Sequence, residues 1–488
     1  LFPQLYNFRY NIFSSDWTIA NRLIELYLQD MQDNNMMRQM NGISNNEKAN
    51  LLIQKYPFKD LLTDPNQRDL LNNIISQKAN VLFAPAELKV GNLEFRDSLR
   101  AYLNQNRFNN LRFEDLLDNM SRISGVDLIS PVAQWDTPTA LPVYIIGQPE
   151  ITRIINRDVE VYVTKIQLTN DSDYDGVVNL EILFGGGGGG GGGDRGGGNA
   201  FFMGGGGGGF GVRSEDYDPR TRRKISLASH ETKLIVNVWE EAPRAINVNT
   251  LISANLPNLI NMPANNIARE QNVPIDQEGD FILSKIIHTA PGEVIVDNED
   301  IGLFELSKPD IVGLLPQWLE GVGDNSFPYS GVQAWRPPLQ WTLTTNTLYY
   351  GTHVRSAYVI KSGSGSQTAT WKIPVPQKGG TYDLFYHVIR PEELRRNNNS
   401  RGTMDLRFKI EYDNGVDDAY LNLRRAQDGW SRLGTYFFNE DTIRVVLSNN
   451  ISNIRMVTAD AVKIVRRAST GETEPTGDGL ELARVTNE

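Results

Sequence analysis

Between Ser14 and Asp30 the apolar residues Ile19, Ala20, Leu23, Ile24, Tyr27 and Leu28 recur at steps of three and four. That spacing predicts a helix with one buried face, and Ser14, Ser15 or Asp16 can cap it. At Thr63-Asp64-Pro65 an acidic cap precedes a proline at the first helical position. Leu70, Leu71, Ile74 and Ile75 then form the stripe of a second helix, expected to end near Lys78. Phe95, Leu99, Tyr102 and Leu103 predict a third. Phe113, Leu116, Leu117 and Met120 predict a fourth, stopped by Gly125 in a left-handed conformation. Residues up to about 135 therefore read as a helical assembly.

After Pro142 the period falls from 3.6 to 2. Val159, Val161 and Thr164–Leu168 lead through Asn170–Gly176 into Val177, Val178, Leu180 and Ile182, which predicts a β-hairpin. The second strand runs into Gly185–Gly211, where 19 of 27 residues are glycine. Such a composition loses the most entropy on ordering and has almost nothing to bury, so a disordered insertion is expected there. Strand character resumes at Ile225–Leu227 and Leu234–Trp239, which places the glycine run in a hairpin loop inside one domain. Lengthening such a loop costs only about 0.6 kcal/mol per doubling. Residues 256–296, with Pro257, Pro263, Pro274 and Pro291, read as a linker.

From Asp297 onward short strands dominate: Ala369–Val375, Tyr382–Val388, Leu406–Glu411 before the turn Asp413-Asn414-Gly415, and Ile443–Leu447. Their spacing predicts a second β-sandwich. The fold class expected is multidomain, α then β: a helical segment over 1–150, an Ig-like β-sandwich with the polyglycine insertion over 151–255, a linker over 256–296, a C-terminal β-sandwich over 297–467, and a disordered polar tail over 468–488.

Composition narrows the function. With 48 Lys+Arg against 59 Asp+Glu the formal charge is −11, which disfavours broad electrostatic binding to nucleic acid or anionic lipid. Cys is absent from all 488 residues, so disulfides, thiolate nucleophiles and cysteine-ligated metals are excluded. The four histidines, His230, His288, His353 and His387, lie too far apart in sequence for a helical metal-binding pair. No run of 18 apolar residues offers a membrane span. The chain starts at Leu1 without a basic-then-apolar leader and reads as a mature chain or a fragment.

Candidate chemistry is sparse. His230-Glu231 has Leu234 where a zinc-peptidase motif needs its second histidine. Asp171, Asp173, Asp175 and Gly176 form D-x-D-x-D-G, the first half of a calcium loop, although Glu181 and Ile182 misplace the closing glutamate; the competing reading is a solvated acidic turn. Five of the eight tryptophans lie in the last module, and among its aromatic residues Trp318, Trp335, Trp341 and Tyr349 are the candidates for stacking on a ligand. The competing reading is that such rings fill the sandwich core. Arg390, Arg395, Arg396 and Arg401 make a local basic loop. No G-x-S-x-G elbow and no phosphate-cradling G-x-x-x-x-G-K occurs.

Two resemblances add to this. Lys78-Ala79, Phe95–Leu103, Phe108, Phe113–Leu117, Ser124–Leu128, Gln134-Trp135 and Leu141–Tyr144 resemble, in order and spacing, the helical segment behind the active site of gluzincin aminopeptidases. In that family the segment leads into a β-sandwich, as Val159–Val248 does here. The resemblance implies zinc, but only in an upstream catalytic domain, since H-E-x-x-H and the downstream glutamate ligand are absent from this chain. The last module is similar to the golvesin and xanthan-lyase carbohydrate-binding-like domain. It carries Trp341, Tyr350-Gly351, Ala369-Thr370-Trp371, Gly380–Leu384, Gly429–Phe438 with its W-x-x-L-G-x-x-x-F, and Ala459-Asp460-Ala461-Val462. That resemblance implies an accessory sandwich of surface-acting bacterial enzymes, with the motif tryptophans and Asp460 locking strand edges and core. The resulting expectation is the non-catalytic C-terminal portion of an extracytoplasmic or cell-surface zinc aminopeptidase-like protein with a peptide- or glycan-docking module. The alternative is a catalytically inactive carbohydrate-binding or envelope scaffold with an envelope protein partner.

Overall fold

A computed structural model describes residues 11–29, 41–156, 159–185, 219–264, 267–283, 292–307, 327–333, 335–391, 394 and 404–467. The glycine run, the 468–488 tail, Trp318 and most of the Arg390–Arg401 loop lie outside these residues. The chain forms two compact units, one of Leu1–Asn35 with Ser44–Asp280 and one of Met36–Ile43 with Phe281–Glu488.

In the first unit the expected helices appear at Ala20–Gln29, Leu71–Val90, Asn92–Gln105 and Phe113–Ser124. Ser14 does not cap the first of them; its hydroxyl accepts the amides of Asp16 and Trp17 in a turn before it. Asp64 does cap, taking the Asn66 amide at 2.9 Å, but it starts a 3-10 turn over Pro65–Leu70 from which the long helix grows. That helix runs past Lys78 and through Pro85 because Leu82, Phe83 and Ala86 continue its buried stripe. Gly125 closes the helix Phe113–Ser124 at φ +65°, as its position predicts.

The helix Asn45–Lys55 had no clear periodic signal, and its anchoring is polar. The Ser44 hydroxyl accepts the Glu47 amide while the Glu47 carboxylate accepts the Ser44 amide, a reciprocal capping box. The other Glu47 oxygen takes the Asn258 amide at 2.7 Å, and Asn50 donates to the Ser253 carbonyl, so one buried helix start is tied to a loop of the neighbouring sandwich. Glu87 is a second tie. Its carboxylate meets Tyr27 Oη at 2.6 Å, Arg96 Nε at 3.1 Å and, from the strand Arg222–Leu227, Lys224 Nζ at 2.7 Å. Burial pushes this carboxyl up, but Lys224, Tyr27 and Arg96 outweigh it and hold it below its ordinary range.

The sandwich has one sheet in the order Leu259–Pro263, Pro243–Asn249, Gly176–Phe184, Arg222–Leu227. The other contains Ile267–Gln271, Glu150–Asn156, Val159–Asn170 and Thr232–Trp239, with Tyr144–Ile146 alongside. Leu180, Ile182 and Ile246 from one sheet meet Ile166, Leu168 and Ile235 from the other in a shared core. Two expectations are corrected here. Val159–Asn170 and Gly176–Phe184 are not a hairpin; Asn170–Gly176 carries the chain from one sheet to the other, and each strand pairs with different neighbours. Residues 256–296 are not a plain linker either, because Leu259–Pro263 and Ile267–Gln271 complete sheet edges of this unit. The strands flanking the glycine run, Gly176–Phe184 and Arg222–Leu227, pair antiparallel.

Among the described residues the second unit contains three sheets. A four-stranded sheet orders as Glu293–Val296, Val462–Arg466, Gly380–Val388, Gly429–Phe438. A five-stranded sheet orders as Phe304–Leu306, Thr368–Pro374, Thr442–Ser448, Asp405–Tyr412, Gly415–Asn422. Thr342–Thr345, Ser356–Lys361 and Met456–Ala459 form the third. Trp371, Tyr382, Tyr386, Phe408 and Phe438 fill the core between them. Gly42 belongs to this unit and turns at φ +79°, where a Cβ would lie 2.5 Å from the Ser330 carbonyl oxygen.

Candidate functional site

Asp460 ends the strand Met456–Ala459 and is fully buried. Around it the motif residues of the second unit converge. Its carboxylate accepts the Tyr350 amide at 3.1 and 3.2 Å and faces His387 Nδ1 at 2.8 Å, while its backbone carbonyl accepts Trp371 Nε1 at 3.0 Å. Burial pushes the carboxyl up, and His387 and Arg355 pull it back. The same desolvation lowers the Arg355 guanidinium to about 10 against the attraction of Asp460. Asp297 is buried nearby and is pushed well up by burial and by the Asp460 charge. Gly351 lets the chain present the Tyr350 amide: its φ is +144°, and a Cβ there would lie 1.8 Å from the Val354 carbonyl oxygen.

The pairing between Gly380–Val388 and Gly429–Phe438 explains the W-x-x-L-G spacing. Leu384 pairs with Gly434 but Phe385 pairs with Arg432, so Leu433 is the extra residue of a β-bulge. The inserted residue shifts the alternation by one. Trp430 and Arg432 before it, and Thr435 and Phe437 after it, thereby share the outer face, while Tyr436 and Phe438 pack on the core. On that outer face Trp430 lies between His387 (5.1 Å between ring centres), Tyr350 (5.2 Å) and Lys463, whose Nζ is 4.7 Å from the ring centre. Lys463 also pairs with Glu293 at 2.5 Å. Asp383 receives Arg432 Nε and Arg467 Nε, each at 2.8 Å, and the Thr435 hydroxyl at 2.5 Å. Desolvation raises this carboxyl, but Arg467, Thr435 and Arg432 win and lower it to about 2.

The Asp460 and Asp383 carboxylates are thus each engaged by several neighbours, and the rings of Trp430, Tyr350 and His387 contact one another. This arrangement holds strands together. What the domain leaves to solvent is different: Trp335 is 71% exposed, Tyr420 60% and Phe437 50%.

Of the residues singled out from sequence, Trp335 is therefore an open ring. Trp341 is partly buried and packs on the core, and Tyr349 is enclosed enough that desolvation raises its hydroxyl. Both are placed as structural rings rather than as a stacking platform shared with Trp335. The Asp171–Gly176 turn is exposed and its carboxylates take separate partners: Asp173 faces His230 Nε2 at 2.9 Å and Asp175 accepts the Ser229 amide. Among the described residues no three His, Asp or Glu side chains gather closely enough to hold a metal ion. The calcium reading of this turn accordingly finds no fitted ligand set among the described residues. Tyr420 and Phe437 were missed from sequence. The period-2 pattern alone puts each on an outer face, and only the bulge and the hairpin register say which face that is.

The family model described as the Golvesin C-terminal domain matches residues 333–466, the span that contains the Asp460 cluster. Among curated proteins, "Probable aminopeptidase 1" of Sulfurisphaera tokodaii is 28% identical over 124 residues, 25% of this chain. The chain spans only 15% of that relative's length. Among solved structures, Paenibacillus xanthan lyase is similar over 68% of this chain and 27% of its own, at 16% identity and a TM-score of 0.25. The CBM22-1–GH10 modules of Clostridium thermocellum Xyn10B, complexed with xylohexaose, cover 28% of this chain and 26% of their own, at 13% identity and a TM-score of 0.18.

A carboxyl with a lowered folded-state pKa stabilises above its unfolded value near 4 and loses that contribution as pH falls through the folded value. The stability difference between wild type and Asp383→Asn should therefore be present at pH 6 and shrink toward zero as pH falls from about 4 to about 2, read from urea midpoints. A difference constant over that range would show that the Asp383 charge does not hold Arg432 and Arg467.

Proposed function

We propose that the 333–466 module docks this chain on carbohydrate. The observation that carries the reading is the division within the module. Its motif residues, Trp371, Tyr350, His387, Trp430 and Asp460, are engaged with one another, whereas Trp335 presents a largely bare indole to solvent. An aromatic face of that kind stacks on the C–H face of a sugar ring. The golvesin match supports the reading, and an acidic chain without a basic surface domain has little to offer a nucleic acid. An extracytoplasmic or cell-surface location fits such docking.

The wider context is a further part of the same proposal. The helical segment behind the first sandwich and the partial aminopeptidase likeness support a non-catalytic C-terminal portion of a zinc aminopeptidase-like protein. The intact mass of the native protein, measured with its zinc content, tests that part. More than 54.8 kDa with about one zinc supports it; 54.8 kDa without zinc favours a catalytically inactive docking scaffold.

Trp335→Ala should weaken retention on immobilised polysaccharide by on the order of tenfold, about the loss of one aromatic stacking contact, with the unfolding midpoint unchanged. Trp430→Ala, by contrast, should lower the midpoint. Equal retention of wild type and Trp335→Ala would remove Trp335 from the docking surface.

A further inference from the structure

The outer face of the five-stranded sheet holds a second set of exposed groups, at the end where Asp405–Tyr412 pairs with Gly415–Asn422. The two-residue turn at Asp413-Asn414 fixes the register so that Arg407 stands directly opposite Tyr420 and Asp405 opposite Asn422. Directly opposite residues have Cβ atoms about 5 Å apart, so a guanidinium and an aromatic ring lie side by side. Arg407 is exposed, and among the described residues its side chain has no hydrogen bond or ion pair. That differs from the opposite sheet, where Arg432 and Arg467 are both held by Asp383. Asp405 is half-buried and positioned by Asn422 Nδ2, 2.7 Å from its Oδ1.

These groups do not lie flat. Asp405, Arg407, Tyr420, Ile451 and Ser452 line a depression of about 60 Å³. Ile451 is buried and forms apolar wall, while Ser452 is exposed and adds a hydroxyl. A space of this size accepts a hydroxymethyl group or a pair of hydroxyls, but not a whole sugar ring. The ring would rest on Tyr420.

We infer that this depression is a sugar subsite, taking a neutral pyranose residue of a polysaccharide through two adjacent hydroxyls. The inference rests on the docking function proposed above. Each group has one part in it. The Tyr420 ring covers the C–H face of the sugar. Arg407 donates to hydroxyl oxygens from its planar fork. The Asp405 oxygen opposite the one held by Asn422 accepts a hydroxyl proton. Ser452 can donate or accept. Asp405 and Arg407 together leave the depression without net formal charge, which suits a neutral sugar; a uronate drawn to Arg407 would also set its charge beside Asp405. Tyr420, Arg407 and Ser452 are all on the surface and outside the Asp460 cluster, so their side chains can be truncated without opening the core.

The full chain is run by native electrophoresis in gels containing barley β-glucan, galactomannan, xylan or polygalacturonate, as wild type, Tyr420→Ala, Arg407→Ala and Trp335→Ala. The expected result is retardation of wild type by at least one neutral polysaccharide and not by polygalacturonate. Tyr420→Ala and Arg407→Ala should each weaken that retardation by on the order of tenfold, with unfolding midpoints unchanged. Retardation that both variants retain in full while Trp335→Ala loses it overturns the subsite and leaves the docking function standing. Retardation by polygalacturonate alone overturns the ligand class. No retardation of wild type in any gel overturns the docking function and the subsite together.

Discussion

A buried carboxylate that no other charge or donor satisfied would cost several kcal/mol, and Asp460 is fully buried. The second unit is organised around meeting that demand. The Tyr350 amide, the His387 ring and the nearby Arg355 charge come from separate segments of the chain, and each must be in place for the carboxylate to be tolerated. Breaking one contact leaves the others facing an undersatisfied charge, so the cluster specifies the arrangement of strands more than it adds raw stability. Gly351 and the bulge at Leu433 are consequences. The first lets the Tyr350 amide point at Asp460, and the second returns Tyr436 and Phe438 to the core after Trp430 has been placed against His387.

The same economy separates structure from function in this domain. Residues that a motif search finds first are those with the most internal partners. Trp371 donates its indole N–H to Asp460, and Trp430 is covered by Lys463, Tyr350 and His387. The Trp371 ring is fully buried and has no free face for a ligand, and the Trp430 ring is partly covered. Among the described residues Trp335, Tyr420 and Arg407 lack such partners, and it is on them that a ligand would make contacts the fold does not already make.

How much of this was legible in the sequence differs by element. Helix stripes and stops were, since Phe113 to Gly125 carries both its apolar spacing and its left-handed terminator. So were four strands of the second unit, read at Ala369–Val375, Tyr382–Val388, Leu406–Glu411 and Ile443–Leu447 and found within a residue or two of those bounds. The passage from Val159–Asn170 to Gly176–Phe184 was not, because a polar seven-residue turn reads alike whether it closes a hairpin or crosses between two sheets. The prolines of 256–296 suggested a linker, yet Pro263 ends an edge strand, where a missing donor costs little. The reach of the helix beyond Lys78 was hidden by Pro85, which removes one hydrogen bond but does not outweigh the burial of Leu82, Phe83 and Ala86. For the site, the pairing of Arg407 with Tyr420 was in principle readable from the Asp413-Asn414-Gly415 turn, which sets the register of both strands. The depression they line was not, because Ile451 and Ser452 arrive from a distant loop.

The central claim is that Asp460 and its partners act as one unit. A double-mutant cycle of Asp460→Asn and His387→Ala, read by urea unfolding of the full chain, tests it most directly. The account predicts that the two losses fall short of adding by at least about 1 kcal/mol, as for residues sharing one buried network. Losses that add to within about 0.5 kcal/mol, the behaviour of independent sites, would contradict it.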